Sequence, residues 1–187
     1  VEMAYAVEYL TGARREPRMH EVTIALCTEM LLLGKLARTP KAARQMLQTA
    51  LDSGAAAEKF AKMVAALGGP KKFVDNPWAH MDVAPITVAI HPERAGTVQR
   101  VDTRAIGMVV VALGGGRTRP QDPVDHAVGL TWLAGQGDHV GPDRPLALVH
   151  ARNDNQVRQA TQLLRAAYHL TGKPAIAQPA VIDRVTA

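Results

Sequence analysis

The sequence has a single cysteine, Cys27, so no disulfide can form within the chain, and a reducing, cytoplasmic setting is expected. Cys27 lies in the apolar run Ile24-Ala25-Leu26-Cys27 with no local partner to activate a thiolate, and reads as a buried core thiol rather than a nucleophile. Aromatic residues make up only 4%. Alanine, leucine and valine carry most of the apolar content, so the core is expected to be aliphatic and largely helical. Long hydrophobic runs are missing: the longest candidate, Ile106–Leu113, falls well short of the roughly 20 residues that cross a bilayer, and no membrane insertion is expected. The basic start, apolar run and small-residue cleavage site of a secretory leader are also lacking. The chain opens at Val1 in what reads as the middle of a helix, and is expected to be a piece of a longer protein. Apolar residues at 47% and charged residues at 21% exclude a disordered tail. The net charge of +5 suits an anionic ligand. Its longest basic clusters, however, are Arg14-Arg15 and Lys71-Lys72, without interleaved aromatics or a continuous basic helix face, and no nucleic-acid partner is expected.

What is present divides into two grammars. The first half predicts helices: one ending at Gly12, a second from about Met19 to Leu36, and a third started by Thr39-Pro40 and stopping near Gly54. A fourth carries Phe60, Met63, Val64 and Leu67 and ends at Gly68-Gly69-Pro70, and Lys71–Pro85 reads as a linker. Strands are predicted at Ile86–Ile90 and Gly96–Val101 from their β-branched content, then a short helix over Arg104–Leu113 capped by Asp102 or Thr103. Further strands are predicted around Ala127–Leu133 and Leu146–His150. A last helix, capped by Asn153 or Asp154, is predicted to run through Tyr168 to Gly172.

Few residue patterns point to chemistry. Gly114-Gly115-Gly116-Arg117 follows a helix instead of preceding one, so the helix dipole there is negative, and no Lys-Ser or Lys-Thr comes after it. A nucleotide phosphate loop is excluded. Two readings stay open: a helix cap with a mobile loop, or a functional lid bearing Arg117 and Arg119. Asp122, Asp125 and His126 stand beside it, either as acid–base groups or as turn residues that hydrogen-bond the backbone. The seven histidines show no helical metal-site spacing, and no metal is expected. Gly137-Asp138-His139-Val140 followed by Pro145–His150 resembles the half-barrel repeats of biotinyl and lipoyl carrier domains. No lysine occurs between Lys72 and Lys173 to hold a prosthetic group, so a carrier function is excluded.

Five segments together resemble the bacterial type of the thymidine phosphorylase family: Val7–Gly12, Ala25–Leu31, Val101–Met108, Gly114–Arg117 and Gly137–Val140 continued by Arg144–His150. The match runs in order along essentially the whole chain and corresponds to the C-terminal portion of the family's length. The resemblance implies reversible phosphorolysis of thymidine to thymine and 2-deoxyribose 1-phosphate, with phosphate as co-substrate and no organic cofactor. It also implies a homodimer in the full-length protein, with the site between a small helical domain and a larger α/β domain.

The family's S-G-R-G-L-G-H-T-G-G-T stretch and its Y-x-x-R-D and S-x-x-x-K patterns do not occur here. No catalytic, substrate-binding or metal-binding residue therefore carries over onto this chain, and the fragment is expected to be inactive. Where some relatives place a glutamate for a monovalent cation, this chain has Tyr5, which offers no carboxylate. In the family the glycine loop moves toward the cleft on closure, which leaves Gly114, Gly115, Gly116 and Arg117 as a candidate lid. The implied fold is mixed α/β and α+β. Residues 1–83 would be the trailing helices and linker of the phosphorylase α/β domain, and residues 84–187 an α+β hammerhead-like domain. A broader uridine and thymidine specificity, or a non-catalytic domain related to the family, are the alternatives.

Overall fold

A computed structural model describes residues 1–173 and 178–185. The chain divides into two compact units: Glu2–His80 together with the described residues from Pro179 onward, and Met81–Gln178 together with Val1.

The first unit holds helices α1 (Glu2–Thr11), α2 (Pro17–Leu33), α3 (Pro40–Asp52) and α4 (Ala55–Ala66), then a 3₁₀ turn at Pro77–His80. Local chemistry sets most of their ends. Gly12 follows α1 at φ +83°, a conformation a Cβ disfavours. Thr39 caps α3 by accepting from the Ala42 amide at 3.2 Å, with Pro40 at the first helical position. The start of α2 lies earlier than its apolar period suggests. The Glu16 carboxylate accepts from the amides of Arg18 at 3.0 Å and Met19 at 2.6 Å, and Pro17 follows it. Helix α2 ends at Leu33 with Gly34 as its cap, short of Leu36, because Lys35 takes a left-handed φ of +55°. A small cluster of Tyr9, Ile24 and Leu51, flanked by Leu10, Leu47 and Ala56, joins these helices. The Tyr9 hydroxyl meets His20 Nδ1 at 2.9 Å, and Arg15 Nε donates to the Tyr9 carbonyl at 3.0 Å. Cys27 is only partly buried, not the fully buried thiol the sequence suggests. On the same helix Leu26, Met30 and Leu33 are exposed, so α2 buries a narrower stripe than its composition would allow.

The second unit contains β1 (Ile86–Ile90), β2 (Gly96–Val101), α5 (Thr103–Ala112), β3 (Gly129–Thr131), β4 (His139–Val140), β5 (Ala147–Ala151), α6 (Asp154–Ala167) and β6 (Tyr168–Thr171). It forms two three-stranded antiparallel sheets, ordered β1-β5-β3 and β4-β2-β6. Alternation on β5 turns Ala147, Val149 and Ala151 inward, where Val149 meets Val88 on one side and Leu130 on the other. The core is aliphatic, with Val98, Val109, Leu113, Val140, Leu146, Val149 and Leu164 essentially without solvent contact.

The last helix is shorter than its amphipathic period predicts. It stops at Ala167, and Tyr168 leaves it with extended backbone at φ −99° and ψ 124°. Tyr168–Thr171 then pairs with β2, placing Tyr168 opposite Val101 and Thr171 opposite Thr97. A continuing helix would leave that edge of β2 unpaired and withdraw the Tyr168 hydroxyl from the carbonyls of Ala134 (3.0 Å) and Leu146 (3.2 Å). Burial pushes this phenol up to about 12.

Candidate functional site

The glycine run begins as a helix terminus. Leu113 closes α5, Gly114 stands at φ +90°, and the amides of Gly114 and Gly115 donate back to the carbonyls of Val111 and Val110, each at 2.9 Å. This paired pattern is a Schellman cap, satisfying carbonyls that the helix end leaves open. The three glycines answer different demands. Gly114 supplies the left-handed turn. At Gly115 a Cβ would lie 3.0 Å from Val110 Cγ1, and at Gly116 2.8 Å from Val111 Cγ2. The last two are therefore small because they pack down on the valines of α5.

From Gly116 the chain runs out to a tip and back. The tip, residues 117–122, is organised by Asp122. Its carboxylate accepts from the Thr118 hydroxyl at 2.5 Å, the Arg119 amide at 2.9 Å and Arg119 Nε at 3.0 Å, while Arg117 Nε donates to the Asp122 carbonyl at 3.0 Å. These donors, the Thr118 hydroxyl first, hold the Asp122 carboxyl below the usual carboxylate range. Arg117 and Arg119 are both exposed. The acid–base reading of this aspartate gives way to a turn role, since its oxygens are engaged by the loop's own donors. His126 is exposed.

The base of the loop is closed by the Asp125 amide, which donates to the Gly114 carbonyl at 2.9 Å. The Asp125 carboxylate accepts from the Ala127 amide at 3.0 Å and receives Arg152 in a two-pronged contact, Nε at 2.7 Å and Nη2 at 2.9 Å. The Arg152 hydrogen bond is the main cause of the lowered Asp125 pKa, and the same contact raises that of Arg152. Gln156, in the first turn of α6, accepts from the Arg152 amide at 2.7 Å and donates to the Leu113 carbonyl at 3.0 Å. Sequence reasoning singled out Asp125 but missed Arg152 and Gln156, which stand 27 and 31 positions further along the chain; no local spacing announces such a pairing.

On the outward side of the β1-β5-β3 sheet, His150 is held between two threonines, with Nδ1 3.1 Å from Thr87 Oγ1 and Nε2 2.8 Å from Thr131 Oγ1. Burial depresses its pKa. The turn at Gly137, φ +92°, is fixed by Asp138, which accepts from the Gly135 amide at 2.9 Å and pairs with Arg144 at 3.2 Å. Among the described residues no group of three or more His, Cys, Asp or Glu side chains could hold a metal ion. No helix there is long and apolar enough to cross a membrane.

Comparison with known proteins places these features. The sequence model of the pyrimidine nucleoside phosphorylase C-terminal domain matches residues 97–171, from β2 through β6, and so includes the glycine loop, Asp125, Arg152 and Gln156. The chain is 49% identical over 185 residues to a thymidine phosphorylase of Burkholderia cenocepacia (strain HI2424), and equally so to one of Burkholderia orbicola (strain AU 1054). Each alignment covers 99% of this chain and 42% of the relative, so the chain spans less than half the length of the proteins it matches.

Proposed function

Because the chain belongs to the pyrimidine nucleoside phosphorylase family, we propose that the parent protein is a cytoplasmic, homodimeric thymidine phosphorylase and that this chain is its C-terminal portion. The single observation that carries the reading is 49% identity maintained over 99% of the chain. Residues 1–83 are then the trailing part of the catalytic α/β domain, and residues 84–187 the family's C-terminal α+β domain with its hammerhead-like build. In the reaction a phosphate oxygen bonds to C1′ of the deoxyribose as the C1′–N1 bond breaks. The pyrimidine leaves with the electron pair and takes up a proton. Donors aimed at the departing pyrimidine anion lower the barrier, and exclusion of water favours phosphate over hydrolysis. Those donors belong to the parent's upstream residues.

The contribution of this chain is the loop from Gly114 to Asp125, acting as a lid that brings Arg117 toward the anionic phosphate co-substrate. Support comes from its shape: a capped start, a self-bonded tip and two exposed guanidinium groups. Thymidine and phosphate are the substrates, no organic cofactor is required, and neither nucleic acid nor membrane takes part. The test is thymine release by the full-length protein. Thymidine should be phosphorolysed in a phosphate-dependent reaction faster than uridine, and Arg117→Ala should lower the rate about 10-fold with stability held within about 0.5 kcal/mol, as for an exposed side chain. Uridine used as well as thymidine would refute the thymidine preference, and wild-type turnover in Arg117→Ala would remove the lid.

A further inference from the structure

The loop has two mechanically distinct parts. Among the described residues, the hydrogen bonds and ion pair of residues 117–122 all close within the tip, on Asp122 and Arg119. The base is tied outward instead. Gly114 and Gly115 are bonded into the end of α5, the Asp125 amide is bonded to Gly114, and the Asp125 carboxylate is bonded to Arg152 just before α6. Gln156 completes a ring by linking the Arg152 amide to the Leu113 carbonyl. Gly116, held against Val111, and Pro123-Val124 are the junctions between the two parts.

We propose that Asp125 and Arg152, with Gln156, form a clamp that fixes the base of the glycine loop to the ends of α5 and α6, so that closure over substrate carries only the tip. The clamp rests on the lid reading for its use in phosphorolysis, not for its existence. Its ion pair is partly exposed, with side-chain accessibilities of 40% for Arg152 and 28% for Asp125. A pair so placed adds little to global stability, which makes loop order separable from folding. The two-pronged geometry also distinguishes arginine from lysine, whose ammonium cannot reproduce the fork.

The test is residue-resolved amide hydrogen exchange on the 187-residue chain carrying Arg152→Gln, Arg152→Lys or Asp125→Asn. Exchange at Asp125 and Ala127 should accelerate about 10-fold or more in Arg152→Gln and Asp125→Asn, and less in Arg152→Lys. Gly114 and Gly115, held by α5, should stay within about two-fold of the parent, as should Leu146–Ala151, the internal control for folding. A variant that fails this control is set aside for the milder Arg152→Lys. The double variant should exchange no faster than either single one, since both remove the same contact. Unchanged exchange at Asp125 and Ala127, or acceleration spread equally across the whole unit in Arg152→Lys as well, would overturn the clamp. In the full-length protein Arg152→Gln should lower kcat about 10-fold with KM nearly unchanged. Accelerated exchange with wild-type kcat would leave the clamp standing and refute the lid.

Discussion

Replacing Gly114 by alanine isolates what the first glycine of the loop contributes. Its φ of +90° lies where a Cβ crowds its own backbone, and the nearest atom to that Cβ is Asp125 Cβ at 4.0 Å. The cost is therefore conformational, with no packing clash, and amounts to about 1–2 kcal/mol. With a urea dependence of about 2 kcal/mol per molar, the unfolding midpoint should fall by roughly 0.5–1 M. Gly116 offers the contrast. Its backbone is in an ordinary region, but its Cβ would stand 2.8 Å from Val111 Cγ2, so Gly116→Ala should cost about 1–3 kcal/mol through overpacking. Asparagine separates the two causes. It tolerates the left-handed region, so Gly114→Asn should recover a good part of the loss, whereas Gly116→Asn should be no better than alanine. Adding Val111→Ala should relieve Gly116→Ala and leave Gly114→Ala unaffected. Urea unfolding in a Trp78→Phe background lets Trp132, the tryptophan of the α+β unit, report on the relevant transition. A Gly114→Ala variant as stable as the parent, or an asparagine variant as damaged as the alanine one, would refute a left-handed cap at this position.

Two further outcomes follow from the α+β unit. Tyr168→Phe removes a hydroxyl shared between the Ala134 and Leu146 carbonyls and should cost about 1–2 kcal/mol in the same assay. The raised phenol pKa means that the stabilisation is full below about pH 10 and is lost between there and about 12, because the unfolded chain ionises first. His150 gives the opposite dependence. Its folded pKa is depressed by burial, so as pH falls through about 6.5 the unfolded chain takes up a proton that the native state refuses. Unfolding titrated between pH 7 and 5 should therefore show stability dropping with pH, and His150→Gln should flatten that slope.

The sequence reveals those elements whose limits rest on neighbouring residues. Thr39-Pro40, Gly12 and Asp102 act through bonds spanning a few positions, so the starts of α3 and α5 and the end of α1 are readable to within a residue or two. The four residues of β6 are not. Tyr168–Thr171 prolongs an amphipathic period that suits a helix, and only the unpaired edge of β2, some seventy positions earlier, draws it into extended form. The two residues of β4 carry no periodicity at all and exist as a strand through pairing with Gly96 and Thr97. The candidate site divides in the same way. The cap at Gly114–Gly116 and the turn role of Asp122 are local. Arg152 becomes part of the loop only through folding, which brings the end of β5 against the end of α5.

The central claim, that this chain is the C-terminal portion of a thymidine phosphorylase whose reacting groups lie upstream, is tested most directly by thymine release. The purified 187-residue chain and its full-length parent would be incubated side by side with thymidine and phosphate, each checked by intact mass. Loss of a single anion-stabilising donor costs about 10²–10³-fold, so a chain lacking all of them together should show no detectable release while the parent turns over. Turnover by the 187-residue chain comparable to that of the parent would contradict the claim and place the catalytic groups within these residues.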